Sequence, residues 1–425
     1  MNVSGPTVDL ADPTLWQLGV PHEAFDAERA EAPVRWRTVD HQRHGMVPGS
    51  GYWSITGYDE VRTALHNPTV FSSHDGGIRM EDPSGAGLYS DRLTIVGMDP
   101  PVHGGYRLAV NRNFVPRVIE RLRQRVTTIA ADAVDRLATD VHERSGPTPH
   151  TADLVARVSA EVPLLVIADL LGVEPSDRDR FRQWTDIVVS PDDPDVVISR
   201  AEVIDAVRAF MAYGAEVLAD RRAHPQDDLM TAIASAEVAG EPMDDAHQAA
   251  MWFIFLIGGN ETTRNALTGA AIAFDHFPEQ LHALQSGERS WAEVSEEVLR
   301  WWSPVNYLRR TVHQDTELGG VPMQAGDKVM LWLTAANRDP LQFIDPHRFD
   351  LSRSNAGDHL ALGHGTHFCL GAHLARLELE VTLPLLYARL PDLQLTTAPT
   401  RVRANFINGV SALSVSSPSV RAANP

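Results

Sequence analysis

The chain has 425 residues, 43% of them hydrophobic and 22% charged, a globular composition with room for a large buried core. Its formal charge of −19 would repel phosphate backbones and anionic lipid, which sets nucleic acid aside as a partner. A single cysteine cannot close an internal disulfide, which excludes a disulfide-stapled secreted fold.

The first residues carry no basic n-region and no apolar stretch, so no signal peptide is expected. No run of about 18 apolar residues offers a membrane anchor, and a cytoplasmic protein is expected. Residues 51–56 alternate large and small side chains and predict a strand, and residues 59–65 predict a short helix. The chain then turns polar and glycine-rich over 73–96, which predicts a loop long enough to be functional. Val118, Leu122, Val126, Ile129 and Ala133 recur at helical spacing, and helical patterns follow over roughly 152–172, 201–221, 244–275 and 293–302. Strand-like pieces separated by glycine turns fill 307–333. A last helix starts near Gly371, with Pro384 expected to kink or end it. The fold class is mainly α with a minor β part. No linker divides the chain, so residues 1–425 are read as one domain.

Three segments carry chemistry. Cys369 sits in Leu362-Gly363-His364-Gly365-Thr366-His367-Phe368-Cys369-Leu370-Gly371, just ahead of the last helix. Flanking glycines let backbone amides approach the sulfur, and free N–H groups at a helix mouth stabilise an anion. Both favour thiolate, the form that ligates a haem iron. Taken alone, a lone cysteine is more often a small buried hydrophobe. His364, His367, Cys369 and His373 would also suit zinc, although structural zinc sites usually bring two spaced ligand pairs. The second segment, Gly258-Gly259-Asn260-Glu261-Thr262-Thr263, follows an apolar helical run and by itself reads as one helix ending and another being capped. In the third, Glu297 and Arg300 share one helix face at i, i+3. Glu120/Arg123 and Glu261/Arg264 have the same spacing, so the spacing alone carries little.

In this combination and order the segments resemble the bacterial cytochrome P450 family, over essentially the whole chain. Residues 362–371 match the haem-loop pattern Phe-Gly-x-Gly-x-His-x-Cys-x-Gly except at Leu362, where the family usually carries an aromatic. The resemblance implies the cytochrome P450 fold, with a long central helix over the haem and a small β-rich subregion. It implies haem b (iron protoporphyrin IX) as cofactor, with Cys369 as the axial ligand of its iron. It implies that Glu261 and Thr262 relay protons where Gly258 and Gly259 let the central helix open. It further implies that His103, Arg107, Arg310 and His367 bind the propionates, a buried dianion that demands pairing. Glu297, Arg300 and Arg348 would form a buried structural network.

The implied activity is monooxygenation with O2 and two electrons. No flavin or dinucleotide domain is recognisable, so the electrons are expected from a ferredoxin and an NAD(P)H-dependent ferredoxin reductase. Arg107, Arg112, Arg117 and Arg376 are candidates to dock an acidic donor. Pocket segments are expected at 73–97, 180–198, around Phe255 and Gly258, at 305–308 with Val305 and Leu308, and at 406–410 with Ile407. Their apolar side chains suit a lipophilic small molecule. Residues 70–73, 259–265 and 406–410 look most like the branch that hydroxylates steroid side chains and methyl-branched lipids, so a terpenoid, steroid or lipid-like substrate is expected. The alternatives are a tailoring oxidase of a polyketide or peptide natural product, a peroxide-driven haem enzyme, and a non-catalytic haem binder. Peroxide-driven enzymes typically lack the acid–threonine pair present here.

Overall fold

A computed structural model of the chain describes residues 8–39, 51–83, 85–142, 150–189 and 199–420. Nine helices position the site: α1 (Tyr58–His66), α2 (Gly85–Arg92), α3 (Val102–Asn111), α4 (Arg123–His142), α5 (Glu161–Leu170), α6 (Arg200–Ala223), α7 (Asp245–His276), α8 (Val294–Trp302) and α9 (Ala372–Arg389). The 32 residues of α7 make a rod of about 48 Å. It starts where the Asp244 side chain accepts the His247 N–H (2.9 Å), and it packs on α5, α6, α8 and α9.

Small residues set how closely those neighbours approach. A Cβ on Gly259 would lie 2.8 Å from Ile167 of α5, and one on Gly269 would lie 2.3 Å from the Trp302 ring of α8. Gly258-Gly259-Asn260 therefore does not end a helix. Two mid-helix glycines cost about 1 kcal/mol each in propensity, and tertiary packing along α7 outweighs them.

Three other expectations are revised. The 73–96 stretch contains α2 rather than being loop throughout. The 152–172 pattern splits into a two-residue strand, a π-helical turn (Val155–Ser159) and α5. Pro384 lies inside α9 without ending it. A proline forfeits one ladder bond and crowds the preceding turn, and the buried Leu383, Leu386 and Tyr387 pack α9 on both sides of it.

Five strands form the main sheet: β1 (Val34–Thr38), β2 (Gly51–Ile55), β3 (Phe71–Ser72), β4 (Tyr307–Val312) and β5 (Lys328–Trp332), in the order β1-β2-β5-β4-β3. The β2–β5 pair is parallel and the other pairs are antiparallel. In the β4–β5 register Arg310 faces Val329 and Arg309 faces Met330. Alternation sends consecutive side chains to opposite faces, so the two arginines serve different regions. Arg309 donates to the Asp82 carboxylate (3.0 Å) and the Glu81 carbonyl (2.9 Å), and its N–H holds the Ile78 carbonyl (2.9 Å). Lys328 of β5 joins it on Asp82 (2.8 Å), and the Met80 N–H donates to the Tyr307 hydroxyl (3.2 Å). Residues 78–82 are thus bound to the sheet.

On α9, Glu378 is 1% exposed, and its Oε2 has no partner among the described residues. Burial alone pushes this carboxyl well above its ordinary 4.5. The folded protein keeps the proton while an unfolded chain releases it, so wild type loses stability as pH rises above about 4.5. Glu378→Gln, which cannot ionise, is expected to melt higher than wild type at pH 7, with the gap closing toward pH 4.5. Melting curves at several pH values check this, and a pH-independent gap would refute the buried neutral acid.

Candidate active site

The loop before α9 is shaped by two glycines in left-handed conformation, Gly363 (φ 71°) and Gly365 (φ 68°). Any other residue at either position would be strained. At Gly365 a Cβ would also press to 3.0 Å from the Leu65 carbonyl of α1. The loop turns back so that the Cys369 N–H donates to the Leu362 carbonyl (2.8 Å). The Cys369 side chain packs partly buried against the helical core that includes Leu362. Burial pushes the thiol up, while the Gly371 N–H, Arg107 and Arg376 pull it back. The loop was expected to favour thiolate, but in the polypeptide alone desolvation wins. A thiolate here calls for a further cation at the sulfur, such as a ligated metal.

Two elements converge on this loop. On α3, Arg107 donates from Nη2 to the Phe368 carbonyl (2.6 Å), and the His103 ring lies 4.3 Å, centroid to centroid, from the His367 ring. From β4, Arg310 points toward the same region. It is 2% exposed, donates to the Arg309 carbonyl (2.8 Å), and has no ion pair among the described residues. Burial, then the neighbouring Arg310, drives His367 down to about 2, and burial with Arg107 takes His103 to about 4. Burial lowers Arg310 to about 10, against the pull of Asp99, so it stays charged at neutral pH. His103 Nδ1 and His367 Nε2 are buried with no partner among the described residues.

A buried guanidinium without a carboxylate, beside two unmatched imidazole nitrogens, is costly unless an acceptor-rich anion joins it. Haem b brings two carboxylates and an iron that takes a cysteine thiolate. This donor set and the adjacent sulfur therefore fit that group. Arg107 differs from the others in being engaged with the loop carbonyl. Asp99, not foreseen as a site residue, accepts from Ser73 N–H (2.9 Å) and from the Ser72 hydroxyl. Asp99 lies one turn before His103, whose N–H its carbonyl accepts (3.0 Å), whereas its nearness to Arg310 depends on the fold.

On α7 the two glycines divide the work. Gly259 packs on Ile167, whereas a Cβ on Gly258 would meet no atom within 4 Å. Thr262, one turn on, donates its hydroxyl to the Gly258 carbonyl (2.7 Å). The Glu261 carboxylate is held by Arg264 (3.3 Å) and by Asn265 Nδ2 (3.0 Å) rather than by Thr262. Among the pocket candidates, Val305 and Ile407 pair across an isolated antiparallel bridge, and both are half-buried, as is Leu308. Phe255 is buried and stacks on Phe114 at 5.5 Å, so packing occupies it. Of the 180–198 segment, residues 190–198 lie outside the described residues.

Beneath the loop, Glu297 accepts two bonds from Arg300 (both 2.7 Å) and one from the Asp350 N–H (2.9 Å). Arg300 also donates to the carbonyls of Asn337 (2.9 Å), Pro346 (2.8 Å) and Arg348 (2.9 Å). The Arg348 side chain is not a member of this network. It is 54% exposed and lies 3.6 Å from Glu279, because the neighbouring Phe349 takes the buried direction. Arg353 supplies the third side chain, 3.4 Å from Glu297. Arg376, read as a docking cation, is bound through two bonds to Glu296 (2.5 and 2.9 Å), while Arg112 and Arg117 are exposed. Among the described residues no three His, Cys, Asp or Glu groups converge as a metal cluster, so the zinc alternative finds no support.

The match to known proteins extends over the whole architecture. The chain is 37% identical to a methyl-branched lipid omega-hydroxylase of Mycobacterium bovis, over 96% of each chain, and residues 292–393 match the family described as Cytochrome P450. The chain belongs to the cytochrome P450 family. This P450 is also 33% identical to a linalool 8-monooxygenase of Pseudomonas putida, covering 96% of this chain and 98% of that one. A Mycobacterium marinum cytochrome P450, solved in complex with pseudoionone, superposes with a TM-score of 0.87 at 31% identity, covering 98% of this chain and 100% of that one. The P450 fold and the haem b cofactor expected from the sequence follow, as does the assignment as a monooxygenase. No helix among the described residues of this P450 is long and apolar enough to cross a membrane.

Proposed function

We propose that this P450 inserts one oxygen atom of O2 into a C–H bond of a lipophilic terpenoid, steroid or lipid-like molecule. The balance is R–H + O2 + 2 e⁻ + 2 H⁺ → R–OH + H2O. The carrying observation is the convergence of buried Arg310, His103 and His367, short of acceptors, beside the Cys369 loop. The first three would hold the cofactor's carboxylates, and Cys369 would ligate its iron. Arg107 would brace α3 against the loop. When bound, the cofactor supplies oxygen activation; the protein's task is placement, proton delivery and exclusion of water.

Thr262 would hold a proton on the open face of α7, its hydroxyl anchored at the Gly258 carbonyl, and Glu261 would supply protons from the adjacent face. Val305, Leu308 and Ile407 line the substrate side in this reading, with Gly258 leaving room there. The two relatives named for lipid and linalool oxidation support an apolar guest. Electrons would come from a cytoplasmic ferredoxin and its NAD(P)H-dependent reductase. Exposed Arg112 and Arg117 would offer that partner positive charge on a chain of net charge −19.

The test is an absorption spectrum of the reduced, carbon monoxide-bound holoenzyme, followed by turnover with a ferredoxin system and a panel of linalool, methyl-branched fatty acids and steroids. A red-shifted Soret band, a spin-state change with at least one compound and a hydroxylated product are expected. Absence of the red shift would sink the thiolate assignment. Turnover with hydrogen peroxide but none with the ferredoxin system would establish the peroxide-driven alternative instead.

A further inference from the structure

Glu261 is held in an unusual way. Both of its carboxylate oxygens are engaged, and both partners also reach one residue of a distant segment. Asn265, one turn along α7 and fully buried, donates from Nδ2 to the Glu261 carbonyl (2.8 Å) and to Glu261 Oε1 (3.0 Å). Its Oδ1 accepts the Val410 N–H (3.0 Å). Arg264 pairs with Glu261 Oε2 (3.3 Å) and reaches the Val410 carbonyl (3.5 Å). The acid on α7 and the backbone of residue 410 thus share two clamps.

Val410 directly follows the turn that carries Ile407. That turn is fixed in turn by neighbours of the substrate side. The Asn408 N–H donates to the Pro304 carbonyl (2.9 Å) and the Asn306 N–H to the Phe406 carbonyl (2.8 Å), while Asn408 Nδ2 donates to the Trp302 carbonyl (2.6 Å). A displacement of Ile407 would therefore reach Val410 with little slack. We propose that Asn265, assisted by Arg264, is a positioning residue that sets the Glu261 carboxylate by reference to the 406–410 turn, so that the seat of the guest and the proton-delivering acid are aligned by one side chain. This rests on the reading of Glu261 as a proton-delivery group.

The chemistry of Asn265 suits the task. One amide presents a donor to the acid and an acceptor to the Val410 N–H at once. In the water-poor interior an unmade bond at either end carries the full desolvation penalty, which holds the geometry. Asp at this position would keep the acceptor for Val410 but repel the acid, which separates docking of the turn from placement of the carboxylate.

The test uses full-length holoenzyme with a ferredoxin, its reductase and NAD(P)H in air-saturated buffer without added substrate. There O2 is reduced to peroxide or water, and each product consumes protons. The readout is the ratio of NAD(P)H oxidation rates in H2O and D2O, with melting temperature and the reduced carbon monoxide spectrum as fold controls. Glu261→Gln is expected to raise that ratio about twofold or more. Asn265→Ala and Asn265→Asp should raise it similarly, and the double variant Glu261→Gln/Asn265→Ala no further, because the amide acts through the acid. Should Asn265→Ala not fold, Arg264→Ala, at a side chain 16% exposed, is expected to give a smaller rise in the same direction. A raised ratio in Glu261→Gln with wild-type ratios in the folded Asn265 variant and in Arg264→Ala would overturn the positioning role alone. An unchanged ratio in Glu261→Gln as well would overturn the proton-delivery reading on which it rests.

Discussion

Replacing Cys369 by histidine is expected to leave a folded, haem-loaded protein whose reduced carbon monoxide complex lacks the red-shifted Soret band. Histidine also ligates haem iron but supplies no thiolate push. Turnover with O2 and the ferredoxin system should fall by more than about 100-fold, beyond the loss typical when only an outer partner of a metal ligand is removed. The reason is local. Desolvation disfavours the thiolate, and only the Gly371 N–H, Arg107 and Arg376 counter it within the protein. The sulfur and the iron would therefore depend on each other for charge balance. Full oxygenase activity in Cys369→His would refute the assignment. Leu362 stands where the family usually carries an aromatic residue, and it belongs to the apolar core against which Cys369 packs.

The second large effect is structural. Glu297→Ala is expected to cost about 3–5 kcal/mol, because removing one partner strands a buried charge. Arg300, 0% exposed, would keep its three carbonyl acceptors but lose its counter-ion. Arg353 would lose the same carboxylate, and the Asp350 N–H its acceptor. Arg348→Ala, at an exposed side chain, should cost no more than about 1 kcal/mol. Denaturant unfolding of the two holoenzyme variants separates the cases. Equal losses would restore Arg348 to the network that the geometry assigns to Arg353.

Most of the architecture was legible because period and punctuation speak locally. The 51–56 alternation is β2, and the apolar periodicity over 244–275 becomes α7 within a residue at either end. Short segments read alone are less telling. Gly258-Gly259 looks like a helix end because glycine's propensity is a property of the residue, while the packing of Gly259 on Ile167 is a property of the fold. The i, i+3 spacing of Glu261 and Arg264 carries little by itself, and nothing local shows that Arg264 also reaches the Val410 carbonyl, 146 residues away. Arg353 escaped notice because Arg348 and Arg353 lie close together in the chain, and sequence order does not say which side chain turns in to Glu297. A neighbouring buried Phe349 is the only hint that Arg348 turns out.

Arg309 and Arg310 occupy adjacent positions on a strand whose register against β5 is fixed over five pairs. A slip of one residue would exchange their faces, so the grip of Arg309 on residues 78–82 and the orientation of Arg310 rest on one register. A point substitution can alter either side chain alone, whereas an insertion or deletion within β4 would misplace both.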